Sequence, residues 1–139
     1  MTAQVHELRP RVGDSEKITI NLGYVDLGQV ELLVAEGFYA NRTDFIRTAI
    51  RNQLDRHSEA LRQSTARRSV ELGLRRVTRA ELEAAAAAGR PLELKVLGLA
   101  SIAEDVSPEL ARAAIGSVFV LGALQASAAV KAALADRIG

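Results

Sequence analysis

The sequence predicts an α+β protein in three parts: an N-terminal strand-helix-helix unit, a helical linker and a small C-terminal β-α-β-α repeat module. Three observations carry this. Residues 17–22 alternate strictly between apolar and polar side chains, the period-two pattern of a strand with one buried and one exposed face. Two stretches with apolar residues at helical spacing follow. Further on, Val96-Leu97-Gly98 recurs as Val120-Leu121-Gly122, 24 positions later.

Residues 1–15 read as a flexible polar arm, because Pro10, Gly13 and Asp14 disfavour regular structure. In the strand, Ile18, Ile20 and Leu22 take one face and Lys17, Thr19 and Asn21 the other; Gly23 and Tyr24 end the pattern. Asp26 is a candidate cap for the first helix, with Gln29 as its capping-box partner. Leu27, Val30, Leu33 and Val34 share one face of that helix, and Gly37 suits the position just past its end. Asn41 is a strong cap for the second helix, with Asp44 complementing the helix dipole. Phe45, Ile46, Ala49, Ile50 and Leu54 form its apolar stripe. These elements make one domain over 16–57.

Residues 55–76 continue as an Arg-rich helix. The capping box Thr78 to Glu81 opens an Ala-rich helix that Gly89 and Pro91 stop. Residues 58–90 are therefore expected as a basic helical linker. In 91–139 the repeat extends to Val106 with Val130 and Leu110 with Leu134. Ser107-Pro108 and Ser127 are helix starts, so each unit reads as strand then helix, with a crossover long enough for parallel strands. Gly98 and Gly122, inside strands, mark bulges or points of close packing. Repeat folds need about three units to bury a core, so two units imply a partner, most simply a second copy. The module is expected to serve oligomerisation or sensing.

Composition excludes several classes. The chain of 139 residues has no Cys, which removes disulfides, thiolate metal sites and Cys nucleophiles. His6 and His57 are the only histidines and have no ligand partners at metal spacing. No nucleophile motif assembles, so neither an enzyme nor a cofactor is expected. Residues 1–13 hold no apolar run and are not a signal peptide, and no stretch approaches the ~18 apolar residues of a membrane span. A soluble, cytoplasmic, nucleoid-associated protein is expected. Net charge is only +1, but Arg56–Arg79 holds seven Arg and two Glu, 7 − 2 = +5, while residues 80–139 hold five basic and seven acidic groups, 5 − 7 = −2. A local basic patch is what phosphate binding needs.

The strand at 17–22 has no partner within residues 1–76, and its simplest completion is an antiparallel copy from a second chain. The run from Glu16 to Leu22, the helix opened near Asp26, and the run from Gly37 through Asn41, Arg42, Thr43 and Asp44 to Arg47 resemble, in that order, the ribbon-helix-helix family of MetJ, Arc and CopG. The resemblance covers roughly residues 16–57. It implies a homodimer whose paired strands enter the major groove of double-stranded DNA, and a transcriptional regulator of repressor type. Lys17, Thr19 and Asn21 are then the base-contacting residues: Lys17 suits guanine or phosphate, Asn21 adenine, and Thr19 either a polar edge or a thymine methyl. The resemblance also implies that the amides at Asn41, Arg42 and Thr43 clamp a phosphate at the second helix start.

Arg62, Arg67, Arg68, Arg75 and Arg76 read chiefly as a solvated helix face, with additional backbone contact to DNA a lesser expectation. Two other functions fit the pattern. An antitoxin would use the segment after residue 57 to bind a toxin. A DNA-organising scaffold would stack the Val-Leu-Gly repeat into higher oligomers.

Overall fold

The computed structural model describes residues 15–139; residues 1–14 of the expected arm lie outside them. The chain divides into two compact units, Lys17–Ser64 and Thr65–Gly139, the latter including Ser15 and Glu16. No helix among the described residues is long and apolar enough to cross a membrane.

The first unit holds α1 (Tyr24–Ala35) and α2 (Arg42–Arg56), followed by α3 (Ser58–Arg68), which runs on into the second. Helix α1 starts two residues earlier than Asp26: Gly23 occupies the cap position without a side-chain bond, and Asp26 lies in the first turn. A carboxylate there still favours the helix dipole. The end of α1 follows from Gly37, whose φ of 85° is open to glycine at no steric cost. The Phe38 N–H donates to the Leu33 carbonyl and the Gly37 N–H to the Val34 carbonyl, each at 3.0 Å, which satisfies two orphan carbonyls of the last turn.

Helix α2 begins at the Asn41 cap. The Asn41 Oδ1 accepts from the Asp44 N–H at 2.8 Å, and the Asp44 carboxylate accepts from the Ala40 N–H at 2.9 Å. Tyr39 packs edge-on against Phe45 with ring centroids 5.0 Å apart. Val30 is the one buried apolar residue of this unit, and α2 contributes none.

The second unit is a parallel sheet of β1 (Glu71–Val77), β2 (Leu92–Ile102) and β3 (Ile115–Gln125) in that spatial order. Helices α4 (Arg79–Ala88), α5 (Pro108–Ala114) and α6 (Ala128–Ala133) follow the strands in turn. The expected caps hold these helices: Thr78, Ser107 and Ser127 each accept a backbone N–H of the first turn. Gly89, at φ 66°, ends α4. Leu82, Ala111, Ala114 and Val130 of the helices pack with Leu94, Val96, Ala100, Ile115 and Val118 of the strands into one buried core. The period of two puts the alternate residues of each strand on the opposite face. Among the described residues that face carries no helix: Leu72 is 79% and Leu74 83% exposed, and Leu121 is exposed too.

Two expectations change here. Residues 55–76 do not form one helix: α2 ends at Arg56, α3 at Arg68, Ser69 takes a φ of 55°, and 71–77 is a strand. The module is accordingly β-α-β-α-β-α, with residues 71–88, read from sequence as linker, supplying its first unit. The strand is disguised by Arg75 and Arg76. Arg75 lies on the helix-covered side, where a charge is tolerated because Glu81 of α4 meets it with two hydrogen bonds, one at 3.0 Å.

Candidate nucleic-acid interface

Residues 16–23 take no part in any sheet or helix of the single chain. A strand is defined by its neighbour: its backbone groups bond sideways, so an unpaired one has no ladder. Lys17, Thr19 and Asn21 are all exposed, as the alternation predicts for one face. The other face is exposed as well, with Ile18 at 77% and Ile20 at 62%. Ile20 and Leu22 line a groove of about 560 Å³ whose walls include Val30 and Leu33 of α1 and Phe45, Ile46 and Ile50 of α2. The apolar residues that periodicity assigns to a core thus gather around an open trough.

The phosphate-binding candidates are contiguous at the start of α2. Asn41 spends its side-chain oxygen on the Asp44 amide, so any anion contact from this residue falls to its Nδ2 amide or its backbone N–H. The amides of Arg42 and Thr43 belong to the first turn, which a helix leaves without intrahelical acceptors. Arg42 lies 3.9 Å from Glu31 of α1, both side chains more than half exposed, a pair too open to hold the guanidinium in place. Asp44 puts a negative charge one residue from Thr43, but its carboxylate is occupied by the Ala40 N–H.

Charge in this unit is balanced: Lys17, Arg42, Arg47, Arg51, Arg56 and Arg62 against Asp26, Glu31, Glu36, Asp44, Asp55 and Glu59, 6 − 6 = 0. Attraction to phosphate therefore rests on where Lys17 and the α2 amides sit, not on a net field.

The basic run read from sequence is dispersed. Arg62 pairs with Glu59. The Arg68 guanidinium stands 5.8 Å from the Phe119 ring centroid. Arg75 is bound by Glu81 and lies 3.4 Å from Glu71. Its hydrogen bond holds the Glu81 carboxyl below the ordinary glutamate range, against the opposing effect of burial, and the same bond raises Arg75. Arg75 is thus part of the second unit's structure. Arg76 lines a separate open groove of about 770 Å³ at the carboxyl ends of the strands, with Ser101, Glu104, Asp105 and Gln125. Sequence reading missed both placements because it took 71–76 as helix; the alternation of Leu72 and Leu74 was the available signal.

Comparison with curated proteins and with solved structures returned no match. A family model, that of the Ribbon-Helix-Helix transcriptional regulator family, matches residues 13–131. The match runs well past the 16–57 segment that carries the resemblance and takes in all three strands of the second unit. With most of its length matched, from the unpaired segment through the three-stranded module, the chain belongs to the ribbon-helix-helix family of transcriptional regulators.

Proposed function

We propose that the protein is a sequence-specific repressor that acts as a homodimer in the cytoplasm, on nucleoid DNA. Segment 17–22 pairs antiparallel with its copy, and the resulting ribbon enters the major groove. Lys17, Thr19 and Asn21 contact base edges; the amides around Asn41, Arg42 and Thr43 fix the ribbon on the phosphate backbone. The observation that carries this is the exposure of Ile18, Ile20 and Leu22 above a trough lined by both helices. One partner segment with the same alternation covers that trough and leaves the polar face outward. An exposed apolar cluster of this kind is otherwise an aggregation hazard.

Two further features support a regulator without enzymatic activity or cofactor over an antitoxin. The tail has its own buried core, so it does not need a toxin in order to fold. Its first strand also begins only three residues after α3, at Glu71, which leaves little free segment to wrap a partner.

The test is selection of genomic fragments on the purified protein, followed by titration of the enriched site against random DNA. Lys17→Ala with Asn21→Ala is expected to reduce the specific-to-random ratio by roughly 100-fold, at about 1–3 kcal/mol per lost base contact, while the dimer mass stays unchanged. Both proteins should bind more weakly as salt rises. Unchanged discrimination by the double variant would overturn the groove assignment.

A further inference from the structure

The three strands of the second unit repeat one steric rule. Gly73, Gly98 and Gly122 stand side by side in register across the sheet, with φ values of 121°, 135° and 119°. A Cβ built on Gly98 would overlap the Gly73 carbonyl oxygen and lie 3.0 Å from its carbonyl carbon; one built on Gly122 would overlap the Gly98 carbonyl in the same way. Each glycine carbonyl thus fills the side-chain space of the next strand, always in the same direction. At Gly73 the backbone has the same conformation, but no atom of the described residues lies within 4 Å of that space. The outer edge of β1 therefore offers the hollow, and the outer edge of β3 offers the Gly122 carbonyl that would fill it.

The registers of the two edges also match. Glu71 stands in the row of Val96 and Val120, and Leu72 in the row of Leu97 and Leu121. A further β1 strand added beside β3 by the same rule would start at Val120. Among the described residues, the one backbone pairing on the outer edge of β3 is the bridge from Val118 to Ile138, with the Gly139 N–H donating to the Val118 carbonyl at 2.9 Å. Among the described residues, this pairing reaches Val118 and leaves the edge from Val120 onward without a backbone partner. In such a pairing Leu72 and Leu74 would stand beside Leu121 and Ala123 of the neighbour. This gives the two leucines, 79% and 83% exposed in the single chain, an apolar neighbour. Unprotected edges with apolar side chains are templates for strand addition.

We propose that the module joins copies of this chain head to tail, with β1 of one copy pairing in parallel with the outer edge of β3 of another and Gly73 seated on the neighbour's Gly122 carbonyl. The occupant is a second copy because the two outer edges complement each other by the rule that already joins β1 to β2 and β2 to β3. The contact uses two different surfaces, so it leaves one of each free and does not close on itself at two copies. If the chain is also a DNA-binding dimer, a consequence that rests on the reading above, neighbouring dimers are linked along DNA and bind it cooperatively. The pairing itself needs no DNA.

Sedimentation velocity of the full chain without DNA, over a wide concentration range, tests this. The native protein is expected to grow past the dimer as concentration rises. Leu72→Lys with Leu74→Lys is expected to stop at the dimer while keeping the native circular-dichroism spectrum, because neither leucine is buried within the chain. A native protein of one mass at all concentrations overturns the proposal; Ser15, which takes part in a bridge within the single chain, and Glu16 lie beside Gly73 and Leu74. Association that survives the two lysines overturns it as well.

A second measurement covers the case in which the lysine variant does not fold. The chain has no cysteine, so copies carrying Leu72→Cys can be mixed with copies carrying Leu121→Cys and oxidised. Head-to-tail pairing gives mainly the mixed disulfide, since neighbouring strands lie about 4.8 Å apart. A predominance of bridges between two Leu72→Cys copies indicates symmetric face packing and overturns the proposal.

Discussion

The two units of this chain treat their apolar residues in opposite ways. In Thr65–Gly139, residues such as Leu82, Leu94, Val96, Ile115 and Leu134 are removed from water almost completely, and α4, α5 and α6 each contribute to the core they share with the sheet. In Lys17–Ser64 the apolar content is comparable in kind, yet only Val30 is buried, while Ile18, Ile20, Ile50 and Leu54 stay exposed. The difference lies in strand pairing. The second unit supplies three strands that satisfy one another; the first supplies one strand-like segment, which a single chain leaves unpaired. A core is a property of a complete set of layers, and the single chain does not complete one in the first unit.

The comparison can be broken at several points. The largest effect is expected in the self-sufficient unit. Gly122→Ala places a Cβ where the Gly98 carbonyl lies, at a φ of 119°, which combines backbone strain with overpacking and should cost about 4 kcal/mol. Gly28→Ala, in the middle of α1 with open space around it, should instead stabilise by about 0.5–1 kcal/mol. Thermal unfolding of the two variants checks the contrast; equal effects would mean that the glycine ladder is not under steric constraint.

Next comes Ile20→Ser. If the trough of the first unit is closed by a second copy, the substitution should cost about 2 kcal/mol per chain and make the melting temperature more dependent on protein concentration. If one chain is complete in itself, an Ile already 62% exposed should be replaceable within about 0.5 kcal/mol. Denaturant titrations at two protein concentrations separate the outcomes.

The smallest effect concerns Glu81. Its folded pKa is depressed by the Arg75 hydrogen bond, so its contribution is present above the unfolded value and is lost as pH falls through the folded one. The pair is partly exposed, and Glu81→Gln should cost about 1 kcal/mol at pH 7. Once the pH lies below that depressed folded value, the variant and the native protein should converge. A difference in melting temperature that persists at low pH would show that the carboxylate charge is not what stabilises the pair.

What could be read directly from the chain was local. The Asn41, Thr78, Ser107 and Ser127 caps are short-range bonds over three residues, and capping depends on residue type and position alone. The repeat around Gly98 and Gly122 is likewise a matter of spacing. The first repeat was harder to see. Its Leu72-Gly73-Leu74 triplet sits among arginines, and the charge of Arg75 hides a position that faces helices, because its partner Glu81 is six residues on and in another element. The family match over 13–131 extends the kinship into this module, which the resemblance at the N-terminal end did not reach.

The sequence by itself determined that 17–22 has one apolar and one polar face, where α2, α4, α5 and α6 start, and which side chains stand at the candidate groove positions, because alternation and capping are encoded residue by residue. Only the tertiary structure decided that 71–77 is a strand, that three glycines fall in one row, and that each carbonyl fills the next glycine's side-chain space. Those facts depend on register between segments about 25 residues apart, and register is set by packing and backbone pairing, which no local pattern contains.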